Sequence, residues 1–88
     1  MERTLNRLHV KLKESLDKHG HWNTYTEEEM LSKIEDEWLE YVEADLLGVV
    51  DGKHGTISEL LDVAVTCIKM SHQLYLRTKL STGEGTLS

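Results

Sequence analysis

A chain of 88 residues with no proline, six glycines and 39% apolar residues has room for one small domain, and this composition favours helices joined by short loops over a many-stranded sheet. The net charge of −6 argues against a nucleic acid polymer as partner. The single cysteine, Cys67, excludes an intramolecular disulfide. There is no apolar run of membrane-spanning length and no signal-peptide pattern, so we expect a cytoplasmic all-α protein without a membrane partner.

The first predicted helix follows from leucines at three- and four-residue intervals: Leu5, Leu8, Leu12 and Leu16. This spacing places one apolar stripe along a helix that runs to about Lys18 and is ended by Gly20.

The second predicted helix opens at a capping box formed by Thr26 and Glu29 and ends near Gly48. Its expected buried face consists of Met30, Leu31, Ile34, Trp38, Tyr41 and Val42. Nine of the sixteen acidic residues fall between positions 27 and 45. The chemistry of the protein is therefore expected on this helix.

The third predicted helix is opened by a second capping box, Thr56 with Glu59, and reaches to about Leu80. Apolar side chains lie on several of its sides, whereas its polar residues form one narrow line, which we call the polar stripe: Glu59, Asp62, Thr66, Lys69 and Gln73. A helix with this pattern is usually buried. We expect residues 1–80 to form a single domain and residues 81–88 to form a disordered tail.

Two carboxylate pairs carry the strongest functional signal. Glu37 with Glu40, and Glu59 with Asp62, are each three residues apart, so each pair can reach one cation from neighbouring helical turns. Ligands that are all oxygen suit Mg²⁺ or Mn²⁺ rather than zinc. A pair of this kind on an acidic helix is usually a solvated surface, and Glu59 could serve only its capping box. Asp62, within an apolar segment, favours the metal site.

The segments that contain these pairs, Lys33–Ala44 and Ser58–Val63, resemble the Glu-x-x-Glu and Glu-x-x-Asp motifs of MazG-like all-α nucleoside triphosphate pyrophosphatases. The eighteen residues between the two motifs suit the loop of that family, and the resemblance covers roughly positions 19 to 73. It implies a MazG-like helical bundle. It also implies Mg²⁺-dependent hydrolysis of a nucleoside triphosphate, often a deoxy or non-standard one, to the monophosphate and pyrophosphate.

The same resemblance implies that all four carboxylates are both metal ligands and catalytic residues: Glu37, Glu40, Glu59 and Asp62. Mg²⁺ held by them would bind phosphate oxygens and lower the pKa of a coordinated water.

Four further residues are candidate contacts of the substrate. Lys69 lies two helical turns beyond Asp62 on the polar stripe, where it could meet either a phosphate or a structural carboxylate. Trp22 and Asn23 could stack on and hydrogen-bond a base, although a loop tryptophan is more often part of the core. Lys33, the only basic residue of the acidic segment, completes this set.

We also expect a homodimer or tetramer, because three helices in 88 residues cannot easily enclose a third helix that is apolar on at least three sides. Two-fold pairing would complete a bundle of the four-helix type and the nucleotide pocket.

The main alternative is a non-catalytic helical module, derived from the same fold, that binds a protein or a nucleotide without hydrolysing it; the small size of the chain supports it. A di-iron carboxylate protein ranks last, because such bundles use Glu-x-x-His pairs and the sequence contains none.

Overall fold

The computed structural model describes the backbone of residues 1–82 and the side chains up to residue 79. These residues form three helices and no strand, in the order α1 (Glu2–His19), α2 (Glu27–Leu47) and α3 (Thr56–Thr82). The all-α prediction is confirmed for this part of the chain. Helix α3 continues two residues beyond its predicted end, so residues 81 and 82, which we expected in a disordered tail, are helical. The rest of the predicted tail, 83–88, lies outside the described residues.

The start and end of α2 agree with the sequence pattern. The Oγ1 atom of Thr26 accepts a 3.1 Å hydrogen bond from the backbone N–H of Glu29, and the carboxylate of Glu29 accepts a 2.8 Å bond from the N–H of Thr26. Gly48 closes the helix in the left-handed conformation, with φ of 71°. The capping box predicted at Thr26 is therefore confirmed.

Helix α3 is the middle element of the bundle. It packs against both α1 and α2, whereas α1 and α2 bring no pair of Cα atoms within 8 Å of each other in the described residues. Side-chain contacts from Lys11 to Asp62 and from Ser15 to Lys69 show that α1 runs parallel to α3. Both outer helices can therefore place side chains against α3.

The orientation of α3 is the unusual feature of the packing. Its buried residues include polar members, Glu59, Lys69 and Gln73, beside Leu61 and Val65. Its exposed residues include five apolar ones, Ile57, Leu60, Cys67, Ile68 and Tyr75, beside the polar Ser71, His72, Thr78 and Lys79. The polar stripe thus faces the other two helices together with Leu61 and Val65, while several large apolar side chains of α3 face outward, which is unusual for an amphipathic helix. A single chain therefore leaves much of α3 exposed, as the sequence predicts for three helices in 88 residues.

The predicted buried face of α2 also needs correction. Met30 is fully buried, but Leu31 and Trp38 are each 49% exposed, and the other three predicted members are half-buried. The reason is that α2 packs against one helix only, so a face as wide as the predicted one cannot be covered within the chain. In the described part of the chain, no helix has both the length and the apolar character needed to cross a membrane.

Candidate metal centre

Carboxylates from α2 and α3 meet at the contact between these two helices. One oxygen each of Glu37, Glu59 and Asp62 can be chosen so that all three atoms lie within 4.8 Å of one another. Oxygens bound to one Mg²⁺ at about 2.1 Å can be no more than about 4.2 Å apart. Small side-chain rotations would therefore bring the three carboxylates into ligand positions, and the donor set fits a hard cation.

Glu40 is the fourth carboxylate of this group, which we call the acidic cluster. It is exposed and lies outside the closest three, but its negative charge raises the pKa of both Glu37 and Glu59. All four carboxylates predicted from the sequence therefore come together, with Glu40 at the rim.

Burial and mutual repulsion disfavour the ionised forms of the cluster. Burial, hydrogen bonding with Glu40 and the negative charges of the neighbouring carboxylates raise the pKa of Glu37 to about 7. Glu59 is only 6% exposed, and burial, hydrogen bonding with Asp62 and nearby carboxylate charge raise its pKa as well. His54, in the loop before α3, acts in the opposite direction on Glu59. Such a group of acids gains from binding a cation.

The capping role considered for Glu59 is not what the structure shows. The backbone N–H of Thr56 donates a 2.9 Å hydrogen bond to the carbonyl of Val49, and the N–H of Glu59 bonds to the carbonyl of Gly55. Thr56 is thus the first residue inside α3 rather than its cap. The second capping-box prediction is wrong. The N–H of Thr56, which the carboxylate of Glu59 would accept from in a capping box, donates to the backbone carbonyl of Val49 instead. The carboxylate of Glu59 interacts with the acidic cluster instead.

Lys11, on α1, was missed in the sequence and contacts this cluster directly. Its Nζ atom lies 2.9 Å from Oδ1 of Asp62, with both side chains partly buried. The available signal was weak: Lys11 and Ser15 lie four residues apart along one edge of the leucine stripe of α1. Nothing in that spacing indicates which helix they would face.

A cavity of about 260 Å³ lies beside the acidic cluster. Among its lining residues are Glu37, Lys33, Lys69, Trp22 and Tyr25. It therefore joins the edge of the carboxylate group to two lysines and two aromatic rings.

Lys69 is a buried cation in this cavity. It is 5% exposed, its ammonium donates a 3.0 Å hydrogen bond to the hydroxyl of Ser15, and it lies 5.0 Å from the centroid of the Trp22 ring. Burial and then the positive charge of Lys33 lower the pKa of Lys69. Among the described residues no carboxylate lies within ion-pair distance of it. The alternative in which Lys69 pairs with a structural carboxylate is therefore not what the structure shows.

Trp22 and Asn23 are both engaged within the chain. Trp22 is 5% exposed and belongs to the core, which is the alternative to base stacking that we considered for a loop tryptophan. The side-chain oxygen of Asn23 accepts a 3.1 Å hydrogen bond from Gln73. Arg77, another residue that the sequence did not single out, donates hydrogen bonds to the carbonyls of Trp22 and Tyr25 and fixes this loop to α3.

Lys33, on α2, also lines this cavity. Its ammonium is 4.9 Å from the centroid of the Tyr25 ring, a cation–π distance. Its positive charge thus reaches the same cavity as that of Lys69.

Comparison of the chain with protein-family models, curated proteins and solved structures found no match.

Proposed function

We propose that the chain is a Mg²⁺-dependent nucleoside triphosphate pyrophosphohydrolase that converts a ribo- or deoxynucleoside triphosphate and water to the monophosphate and pyrophosphate. The observation that carries this proposal is the approach of Glu37, Glu59 and Asp62 to within 4.8 Å of one another, with Glu40 at the rim and Glu59 buried. A buried carboxylate among three others is costly unless a cation compensates it.

The four carboxylates would hold Mg²⁺, or Mn²⁺ in its place. When bound, the metal would supply a water of lowered pKa and offset negative charge on the phosphates. The contribution of the chain is to fix oxygen ligands from two packed helices. A carboxylate of the cluster that the metal does not fully engage can orient the attacking water.

The cavity beside Glu37 is the proposed position of the substrate. Lys69 and Lys33 bring two positive charges into it, and Lys69 has a hydroxyl rather than a carboxylate as its polar partner. A triphosphate that extends from the acidic cluster into the cavity would supply the missing anion. Trp22 and Asn23, at the same loop, stay candidates for contact with the base, although each must first give up contacts it makes within the chain.

The outward apolar side of α3 supports a homodimer or tetramer as the working unit. Leu60, Cys67, Ile68 and Tyr75 share this side and are all exposed, and Tyr75 is 59% exposed. Several exposed apolar side chains on one side of a helix in a small chain favour burial against another copy. The cytoplasm, where nucleotides are abundant, is the proposed location.

Turnover of a nucleotide panel tests this function. Ribo- and deoxynucleoside triphosphates are incubated with the protein and Mg²⁺, and products are separated by ion exchange. We expect monophosphate and pyrophosphate from the wild type and at least a hundredfold slower release from Glu59→Gln, by analogy with the loss of other catalytic groups. Glu35→Gln, which changes an exposed carboxylate on the same helix as Glu37, is the matched control and should retain activity. Diphosphate with orthophosphate as products would contradict the proposal.

A non-catalytic nucleotide-binding module is the second candidate, and one observation favours it. The ion pair between Lys11 and Asp62 already compensates one carboxylate of the cluster without any metal. Binding of nucleotides with no turnover across the panel, in the presence of Mg²⁺, would select this alternative.

A further inference from the structure

We propose that Lys11 competes with the divalent cation for Asp62, so that metal binding displaces its ammonium from the acidic cluster. This inference rests on the proposed metal centre and assigns Lys11 as a positioning residue that sets the affinity of that centre for metal.

The contact itself is well placed for such competition. The ammonium lies 2.9 Å from Oδ1 of Asp62, and Asp62 is one of the three carboxylates that approach within 4.8 Å of one another. It is the only ion pair that joins α1 to the acidic cluster in the described residues. The carboxylate that a metal would use is therefore also the acceptor of a charge-assisted hydrogen bond from Lys11.

An ammonium and a divalent cation that bind the same carboxylate each weaken the binding of the other. They carry the same sign of charge, and at this separation their repulsion in a partly buried site is much larger than in bulk water. Lys11 has a route away from the cluster, because its side chain is 25% exposed and its four-carbon stem is flexible. Displacement thus requires a side-chain rotation rather than movement of α1.

The competition has a thermodynamic consequence. Lys11 stabilises the folded chain when it neutralises part of the cluster, and it weakens metal binding because that contact must first be broken. Removing the ammonium should therefore destabilise the chain in the presence of a chelator and tighten its affinity for Mg²⁺. A fixed structural ion pair would instead stabilise the chain to the same extent with and without metal.

Calorimetric titration of Mg²⁺ and melting temperatures test these expectations on four proteins: wild type, Lys11→Met, Lys11→Arg and Lys13→Met. Lys13 is an exposed lysine of the same helix and provides the matched control. We expect Lys11→Met to bind Mg²⁺ about tenfold more tightly, the effect of losing one charge-assisted hydrogen bond. Lys11→Arg and Lys13→Met should stay within about twofold of wild type, since each keeps the cation beside Asp62. Lys11→Met should also melt below wild type in chelator but not in saturating Mg²⁺.

NMR signals of the lysine ammonium groups can be followed in the wild-type protein, so this measurement does not depend on the folding of any variant. Added Mg²⁺ should shift the Lys11 signal and leave that of Lys13 unchanged. Equal Mg²⁺ affinity in wild type and Lys11→Met, or a Lys11 signal that does not respond to bound Mg²⁺, would overturn the role of Lys11 alone. Failure of every protein to bind Mg²⁺ would overturn the metal centre and, with it, this competition.

Discussion

The ammonium of Lys69 on α3 donates a 3.0 Å hydrogen bond to the hydroxyl of Ser15 on α1. This contact holds a cation at the wall of the cavity that Glu37 and Lys33 also line. The positive charges of the two lysines lie close enough that Lys33 lowers the pKa of Lys69. A cation that is buried next to another cation, with only a hydroxyl as polar partner, is better explained by an anionic ligand than by folding stability.

The first prediction follows from this cation. Lys69→Met should raise the Michaelis constant for triphosphate roughly tenfold or more, because a charge-assisted hydrogen bond to phosphate is lost. The melting temperature should be unchanged or higher, since burial of the ammonium disfavours its charged form in the folded chain. Lys79→Met, an exposed position on the same helix, is the control. Steady-state kinetics and thermal melting of the variants measure both effects. A lower melting temperature with an unchanged Michaelis constant would show that Lys69 stabilises the fold and does not bind the substrate.

The second prediction concerns pH. The pKa of Glu37 is raised from 4.5 to about 7 in the folded chain, so the folded state holds this proton more tightly than the unfolded state does. Stability in chelator should therefore increase as the pH falls from about 7 towards 4.5, with an upper bound of about 3 kcal/mol that solvent screening reduces. Glu37→Gln should flatten this dependence. Denaturant unfolding at several pH values measures it, and an equally steep increase in the variant would show that Glu37 is not responsible.

The third prediction concerns the loop that places Glu59. A Cβ atom on Gly55 would lie closer to the carbonyl oxygens of Val50 and Asp51 than van der Waals contact allows. Gly55→Ala should therefore displace the start of α3, destabilise the chain by about 1–3 kcal/mol and weaken Mg²⁺ binding. Gly20→Ala, in open space at a positive φ, should cost stability without affecting the metal. Denaturant unfolding and calorimetry compare them. Equal Mg²⁺ affinity in Gly55→Ala and wild type would contradict the coupling.

The fourth prediction concerns assembly. Ile68→Glu places a charge on the outward apolar side of α3 and should convert the oligomer to a monomer, because a buried unpaired carboxylate opposes association. Val10→Glu, on an exposed part of α1, should leave the assembly intact. Sedimentation equilibrium at low micromolar concentration measures both. If the wild type is a monomer of 10.1 kDa and has full hydrolytic activity, an interface at this surface is not required for activity and the prediction is wrong.

The sequence was sufficient for the helices and for the membership of the acidic cluster, because both depend on local spacing. Apolar periodicity located three helices, and the two three-residue intervals selected Glu37, Glu40, Glu59 and Asp62. It was not sufficient for contacts between α1 and α3. Lys11 and Ser15 are ordinary polar residues on an amphipathic helix, and only the parallel packing of α1 on α3 brings them to Asp62 and Lys69.

The direction in which α3 faces could not be derived from its pattern either. Several of its sides are apolar, so periodicity alone does not decide which side contacts α1 and α2. The second capping-box prediction was wrong for a related reason. The N–H of Thr56 donates to the carbonyl of Val49, and this residue lies in a loop whose conformation no sequence pattern indicates.

Anomalous diffraction from crystals grown with Mn²⁺ shows whether a divalent cation binds at the acidic cluster. We expect an anomalous peak about 2.1–2.2 Å from carboxylate oxygens of Glu37, Glu59 and Asp62, with Lys11 no longer in contact with Asp62. Saturating Mn²⁺ without a peak at the cluster, and with the ammonium of Lys11 still 2.9 Å from Oδ1 of Asp62, would contradict it.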